Sequence, residues 1–150
     1  MKVKKFSKTI DSPLPHVYRW CTDFTEDDPK LTDSTWQRRV LEKTRSRRVF
    51  VDIYGREDGN LKLAVNIVSL RPPNFWHLDF FGDPRNEAVD YRLTSLGEKK
   101  TRLHMVFRFG LGRSEADWFT ALRDKFAPAI EKDYRSRKKQ QNLHSVAPLS

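Results

Sequence analysis

The chain has 150 residues, 37% apolar and 12% aromatic, with 29 Lys and Arg against 20 Asp and Glu for a formal charge of +9. That length suits one domain with a substantial core, and the aromatic content excludes a disordered chain even though a third of the residues are charged. No apolar run approaches the roughly 20 residues that span a bilayer. The first residues lack the apolar stretch of a secretory signal, and Cys21 has no second cysteine to pair with, so a cytoplasmic protein is expected.

Lys2 to Ile10 reads as a first strand with Phe6 and Ile10 on one face. Ser12-Pro13 then supplies an N-cap followed by proline at the first helical position. Leu14, Val17, Tyr18 and Cys21 recur at helical spacing. Asp23 to Pro29 is an acidic break, with a second short helix expected near Pro29 to Asp33.

From Trp36 the period changes to two. Turn signals divide the stretch into six runs: Trp36 to Lys43, Arg47 to Tyr54, Leu61 to Leu70, Phe75 to Phe81, Glu87 to Leu96 and Thr101 to Phe109. The connections are too short for crossover helices, so consecutive antiparallel strands are expected. Alternation assigns one face to Val49, Val51 and Ile53; Leu61, Leu63, Val65 and Ile67; Trp76, Leu78 and Phe80; Val89, Tyr91 and Leu93; and Leu103, Met105, Phe107 and Phe109. The opposite set holds His77, Asp79, Asp90, Arg92, Arg102, His104 and Arg108, as in a sheet covered on one side and wetted on the other.

Ser114, with Glu115 and Asp117 after it, opens the last element, a helix striped with Trp118, Phe119, Leu122, Phe126, Ile130 and Tyr134 and bent at Pro128. Running to about Lys139 it would be roughly 37 Å long, enough to lie along the sheet. The expected organisation is one domain over residues 1–139 and a flexible tail over 140–150.

Two stretches carry a family resemblance. "TIDSPLPHVYRWCTDF" is similar to the opening of the START-like (SRPBCC) helix-grip superfamily, which includes polyketide cyclase/dehydrase-like and birch-pollen-allergen-like proteins. "VDYRLTSLGEKKTRLHMVFRF" is similar to its late hairpin, and the order of elements matches over about residues 2–139. The resemblance implies an α+β helix-grip fold: a curved seven-stranded antiparallel sheet around a long C-terminal helix, with two short helices after the first strand. The glycine-rich loop of the pollen-allergen branch has no counterpart in Lys43-Thr44-Arg45-Ser46, so no phosphate-loop role carries over.

The resemblance also implies that an apolar small molecule, such as a lipid or polyketide, is bound or carried between sheet and helix. The expected lining is Val51, Ile53, Val65, Ile67, Leu78, Phe80, Tyr91, Leu93, Met105, Phe107, Phe119, Leu122 and Phe126. With 10 Phe and 4 Trp available as filler, the space should be modest. A cyclase/dehydratase-like enzyme using the same enclosure is the alternative, with no catalytic residue assignable. His77, Asp79, Asp90, Arg92 and His104 are potential acid–base groups that alternation places on the wet face.

No cofactor or metal site is expected. Four His and one Cys lack zinc spacing, and the acids Asp23, Glu26, Asp27 and Asp28 lack a calcium loop's pattern. A third possibility is contact with nucleic acid or an anionic membrane surface. It rests on the basic residues Arg38, Arg39, Arg45, Arg47 and Arg48 of one hairpin with Lys138 and Lys139 of the tail, without any recognised nucleic-acid motif.

Overall fold

A computed structural model describes residues 2–32, 36–55, 58–82, 86–109 and 120–145. Strand β1 (Lys2–Ile10) leads into helix α1 (Leu14–Thr22) and a 3-10 turn (Asp28–Thr32). Six strands follow: β2 (Gln37–Lys43), β3 (Arg47–Gly55), β4 (Leu61–Arg71), β5 (Phe75–Gly82), β6 (Asn86–Gly97) and β7 (Lys100–Phe109). In the described part of the C-terminal helix a π-helical turn (Leu122–Phe126) follows Thr120 and Ala121 and leads into α2 (Ala127–Ser145).

All seven strands form one antiparallel sheet in the order β1-β7-β6-β5-β4-β3-β2. β2 to β7 are joined in sequence as hairpins, while β1 pairs with β7 across the whole chain. The sheet therefore stays open, with β1 and β2 at its edges. This is the helix-grip α+β architecture expected from the sequence, and the bounds of β2 to β7 fall within one residue of expectation. Gly59 and Gly97 occupy the turns that need positive φ, at 83° and 144°.

Local chemistry explains two departures. α1 starts one residue later than expected, with Pro13 in extended geometry at the N-cap and no side-chain capping bond. The Ser12 carbonyl instead accepts a 2.7 Å bond from the Thr101 hydroxyl, tying the start of α1 to β7. Just before Pro128, where a bend is expected, lies the π turn, in which the Ala127 N–H donates to the Leu122 carbonyl five residues back. Pro128 has no N–H to continue the ordinary ladder, and in a regular α-helix its ring would crowd the carbonyl four residues back; the wider turn suits both. The helix then continues past the expected end near Lys139 to Ser145. Its proposed start at Ser114, with Trp118 and Phe119, lies outside the described residues.

The core joins Ile10, Val17, Trp76, Leu93, Leu103, Met105, Leu122 and Ile130 from β1, α1, three strands and the terminal helix. β5, β6 and β7 present the expected inner face. β3 and β4 present the opposite one, correcting the alternation reading. Phe50, Asp52, Ala64, Asn66, Val68 and Leu70 are buried, whereas Val49, Val51, Ile53, Leu61, Leu63, Val65 and Ile67 share the outward-facing set, with Leu61 70% and Leu63 56% exposed. The cause is pairing. Directly opposed residues share a face, and Trp76, Leu78 and Phe80 of β5 lie opposite Leu70, Val68 and Asn66 of β4. Once Trp76 points inward at 2% exposure, even-numbered β4 residues must follow it, and Phe50 and Asp52 of β3 follow those.

Candidate ligand-binding cavity

The reversed face of β3 and β4 brings charged groups inside. Arg38 projects from β2 opposite Asp52 of β3, and its guanidinium grips that carboxylate with two bonds, Nε to Oδ1 at 2.8 Å and Nη2 to Oδ2 at 3.2 Å. Nη1 donates to Asp28 Oδ2 from the 3-10 turn. Asn66 of β4 completes the cluster with Nδ2 donating to Asp52 Oδ2 at 3.3 Å. The Arg38 and Asp52 side chains are only 10% and 6% exposed. Burial raises both the Asp52 and Asp28 carboxyls above their ordinary range, although Arg38 pulls each the other way.

Aromatic rings enclose the cation. The Arg38 guanidinium carbon sits 4.1 Å from the Phe50 ring centroid, 5.0 Å from Trp36 and 5.8 Å from Phe24. Phe24 stacks on Phe50 at 4.9 Å, and Trp36 on Tyr54 at 6.0 Å. Phe24 adopts φ 43°, a left-handed geometry that a bulky residue takes only when its surroundings enforce it. Its ring contacts supply that constraint at the junction between α1 and the acidic turn.

These groups line one part of a cavity of about 350 Å³ between the sheet and the C-terminal helix. Trp76 and Tyr91, stacked at 4.8 Å and nearly parallel, line another, with Leu78, Val89, Leu103 and Phe107 from β5, β6 and β7. Trp20 and Cys21 of α1 and Ala121 and Phe126 of the terminal helix contribute, as does Glu87, opposite Phe80. Half of the described lining residues are aromatic. Cys21 keeps some exposed surface, but burial of its thiol pushes the pKa up to about 12, so it serves as an apolar wall element.

Of the residues expected to line the site, the structure brings together Leu78, Phe80, Tyr91, Phe107 and Phe126. Leu93, Met105 and Leu122 are buried in the core beside the cavity but do not line it. Val51, Ile53, Val65 and Ile67 are on the other face of the sheet, for the pairing reason above. Phe119 lies outside the described residues. Arg38, Asp52, Asn66, Asp28 and Glu87 went unrecognised as interior groups. The signal that could have found Asn66, Glu87, Asp52 and Arg38 is the chain of cross-strand partnerships that starts at Trp76, Leu78 and Phe80; Asp28, in the 3-10 turn, has none.

The acid–base candidates of the wet face stay outside. His77 Nδ1 is 2.5 Å from Asp90 Oδ1, its Nε2 is 2.9 Å from Asp79 Oδ1, and Arg108 donates to Asp90 Oδ2 at 2.6 Å. Burial alone would lower the His77 pKa, but hydrogen bonds to Asp90 and Asp79 outweigh it and leave the ring raised above its ordinary value. His104 Nδ1 meets the Ser7 hydroxyl at 3.0 Å, and Arg92 lies over the Phe75 ring. Among the described residues no group of three or more His, Cys, Asp or Glu is placed to hold a metal ion.

The acidic break clamps the basic hairpin. Asp23 pairs with Lys43 at 2.6 Å, Glu26 with Arg39 at 3.9 Å and Asp28 with Arg38, while Glu26 also accepts the Val40 N–H at 3.1 Å. Arg47 reaches Glu42 at 3.8 Å, and Arg48 donates to the Thr44 and Arg47 carbonyls. Arg38 is thereby an interior residue and not part of a basic surface, whereas Arg45 and Lys139 are exposed and Lys138 half-buried. Among the described residues no helix is long and apolar enough to cross a membrane.

The sequence matches no protein-family model and no curated protein. Solved structures are similar throughout the chain. An aromatase/cyclase, ZhuI from Streptomyces sp. R1128, superposes with a TM-score of 0.62 at 14% identity, covering 97% of this chain and 90% of that one. Ara h 8.0201 gives 0.62 at 12% identity over 90% and 99% of the two chains. A START superfamily protein from Mycobacterium smegmatis gives 0.61 at 13% identity over 89% and 97%. Together with the seven-stranded sheet and its terminal helix, these similarities identify the architecture as the START/SRPBCC-like helix-grip fold.

Proposed function

We propose that the chain binds a small, largely apolar, aromatic molecule in the cavity between sheet and terminal helix. The observation that carries this reading is the aromatic-walled space of about 350 Å³, near the small end of the range for drug-sized ligands. The space is open to solvent on one side, so a guest that covers the rings of Trp76, Tyr91, Phe80 and Phe107 removes apolar surface from water, at about 25 cal/mol per Å². The similar architecture of ZhuI, Ara h 8.0201 and the Mycobacterium START protein supports a ligand-holding role at the level of the fold.

The test uses the neutral naphthalene fluorophore prodan. Saturable, displaceable binding to the native protein is expected, with loss of binding in Leu78→Trp, which fills the cavity, while circular dichroism stays unchanged. Absence of saturable binding to the wild type, or undiminished binding to folded Leu78→Trp, overturns the reading. Native mass spectrometry of freshly purified protein should also reveal a bound small molecule.

A cyclase- or dehydratase-like activity is the second reading, and the Asp28–Arg38–Asp52 cluster favours it. A desolvated carboxyl with a raised pKa can hold and return a proton inside an enclosure. Turnover of an aromatic polyketide-like substrate that Asp52→Asn abolishes without loss of binding would establish it; equal turnover by wild type and variant would remove Asp52 from that role.

A further inference from the structure

We propose that the cavity selects a ligand with a protonated amine on an aromatic body and disfavours carboxylates, because Arg38 already donates from all three guanidinium nitrogens to Asp28 and Asp52. This rests on the reading of the cavity as a ligand site and specifies the ligand's chemistry.

Arg38 is the one cationic side chain among the described lining residues, and each of its three guanidinium nitrogens already donates to Asp28 or Asp52. An incoming carboxylate would have to displace a bidentate partner inside a poorly solvated wall, while standing close to Asp28, Asp52 and Glu87. An ammonium group meets the opposite situation. Asp28 accepts three bonds from Thr25 and Arg38, and Asp52 three from Arg38 and Asn66, of about four that a carboxylate can take, so an added donor need displace none. The wall also already accommodates a cation, since Arg38 lies within 6 Å of the Phe24, Trp36 and Phe50 centroids. The preference also runs against the chain's overall charge of +9. Adventitious attraction to the surface would favour carboxylates, so the sign of the selectivity separates the cavity from the surface.

The experiment compares three naphthalenes of near-equal size by calorimetry and by displacement of prodan: 2-naphthylmethylamine as its ammonium, the neutral 2-naphthylmethanol, and 2-naphthoate. The amine is expected to bind at least about tenfold tighter than the alcohol, the least that one charge-assisted hydrogen bond should give, and the carboxylate at least about tenfold weaker. Asp52→Asn should cut the amine-to-alcohol ratio, read within the one variant, several-fold. Asp28→Asn, at the more exposed end of the cluster, should do the same and serves where Asp52→Asn does not fold. Binding of prodan and the alcohol with no preference for the amine, or with tighter binding of the carboxylate, overturns this inference and leaves the ligand-binding reading standing. Failure of prodan and all three naphthalenes to bind overturns both.

Discussion

Replacing Arg38 by Met keeps an unbranched apolar stem against the Phe50 ring but removes the charge that holds Asp28 and Asp52 together. Breaking a buried ion pair by deleting one partner costs about 3–5 kcal/mol, because the survivor stays desolvated and unpaired. At roughly 3 °C per kcal/mol for a domain of this size, that is a fall of about 10–15 °C in Tm. The loss should depend on pH. Asp28 and Asp52 already titrate above their unfolded values, and Arg38 is what pulls them down. Without it their folded pKa values rise further. A carboxyl with a raised folded pKa contributes stability below its unfolded value and loses it as pH rises through the folded one. The deficit should therefore be largest at pH 7–8 and shrink toward pH 5 as both groups take up protons. Urea denaturation of wild type and variant across that range provides the assay, with Arg38→Met/Asp28→Asn/Asp52→Asn expected to recover most of the loss. A deficit below about 1 kcal/mol, or one that stays constant from pH 5 to 8, would refute the reasoning by showing that the cluster behaves as a solvated surface pair.

Three further outcomes follow from the geometry. Phe50→Ala should cost about 3–5 kcal/mol, whereas Leu63→Thr on the opposite face of the same strand pair should stay within about 0.5 kcal/mol; comparable losses in denaturant titrations would restore the opposite facing of β3 and β4. On the outer face, NMR titration should give His77 a pKa above its ordinary value and Asp90 one below, since hydrogen bonds from His77 and Arg108 overcome the burial that acts against the Asp90 charge. The His77 contribution to stability is then present in mild acid and lost as pH rises through its folded pKa, that of Asp90 is lost as pH falls through its own, and Asp90→Asn should return His77 toward its ordinary value. Finally, the Cys21 thiol, pushed up to about 12, should react with Ellman's reagent far more slowly in native protein than in urea; equal rates would place it in solvent.

The fold was legible because its signals are local. Turn residues at Asp58-Gly59-Asn60 and Leu96-Gly97-Glu98-Lys99 delimit the hairpins, and in β5 to β7 the ionic residues gather on one face, with Glu87 the exception. β3 and β4 carry apolar residues on both faces. Val51 and Ile53 compete with Phe50 and Tyr54, and Leu63, Val65 and Ile67 with Val68 and Leu70, so alternation alone favours the more continuous aliphatic set. What decides is long-range. Arg71 pairs with Phe75 across Pro72 to Asn74, locking Leu70 to Trp76, and the polar groups of Arg38, Asp52 and Asn66 then satisfy one another inside the cavity. A charged pair whose partners lie on neighbouring strands has no signature in either strand by itself. The same holds for Asp28, which reaches Arg38 only because the acidic turn folds back onto β2.

Methyl-resolved NMR of the protein titrated with prodan tests the cavity most directly. Leu78, Val89 and Leu103 line the space, while Leu63, Val65 and Ile53 belong to the outward-facing set of β3 and β4. Saturating shifts confined to the first group are the expected result. Shifts centred on Leu63, Val65 and Ile53, with the first group unmoved, would contradict the account and place binding on the outer surface of the sheet.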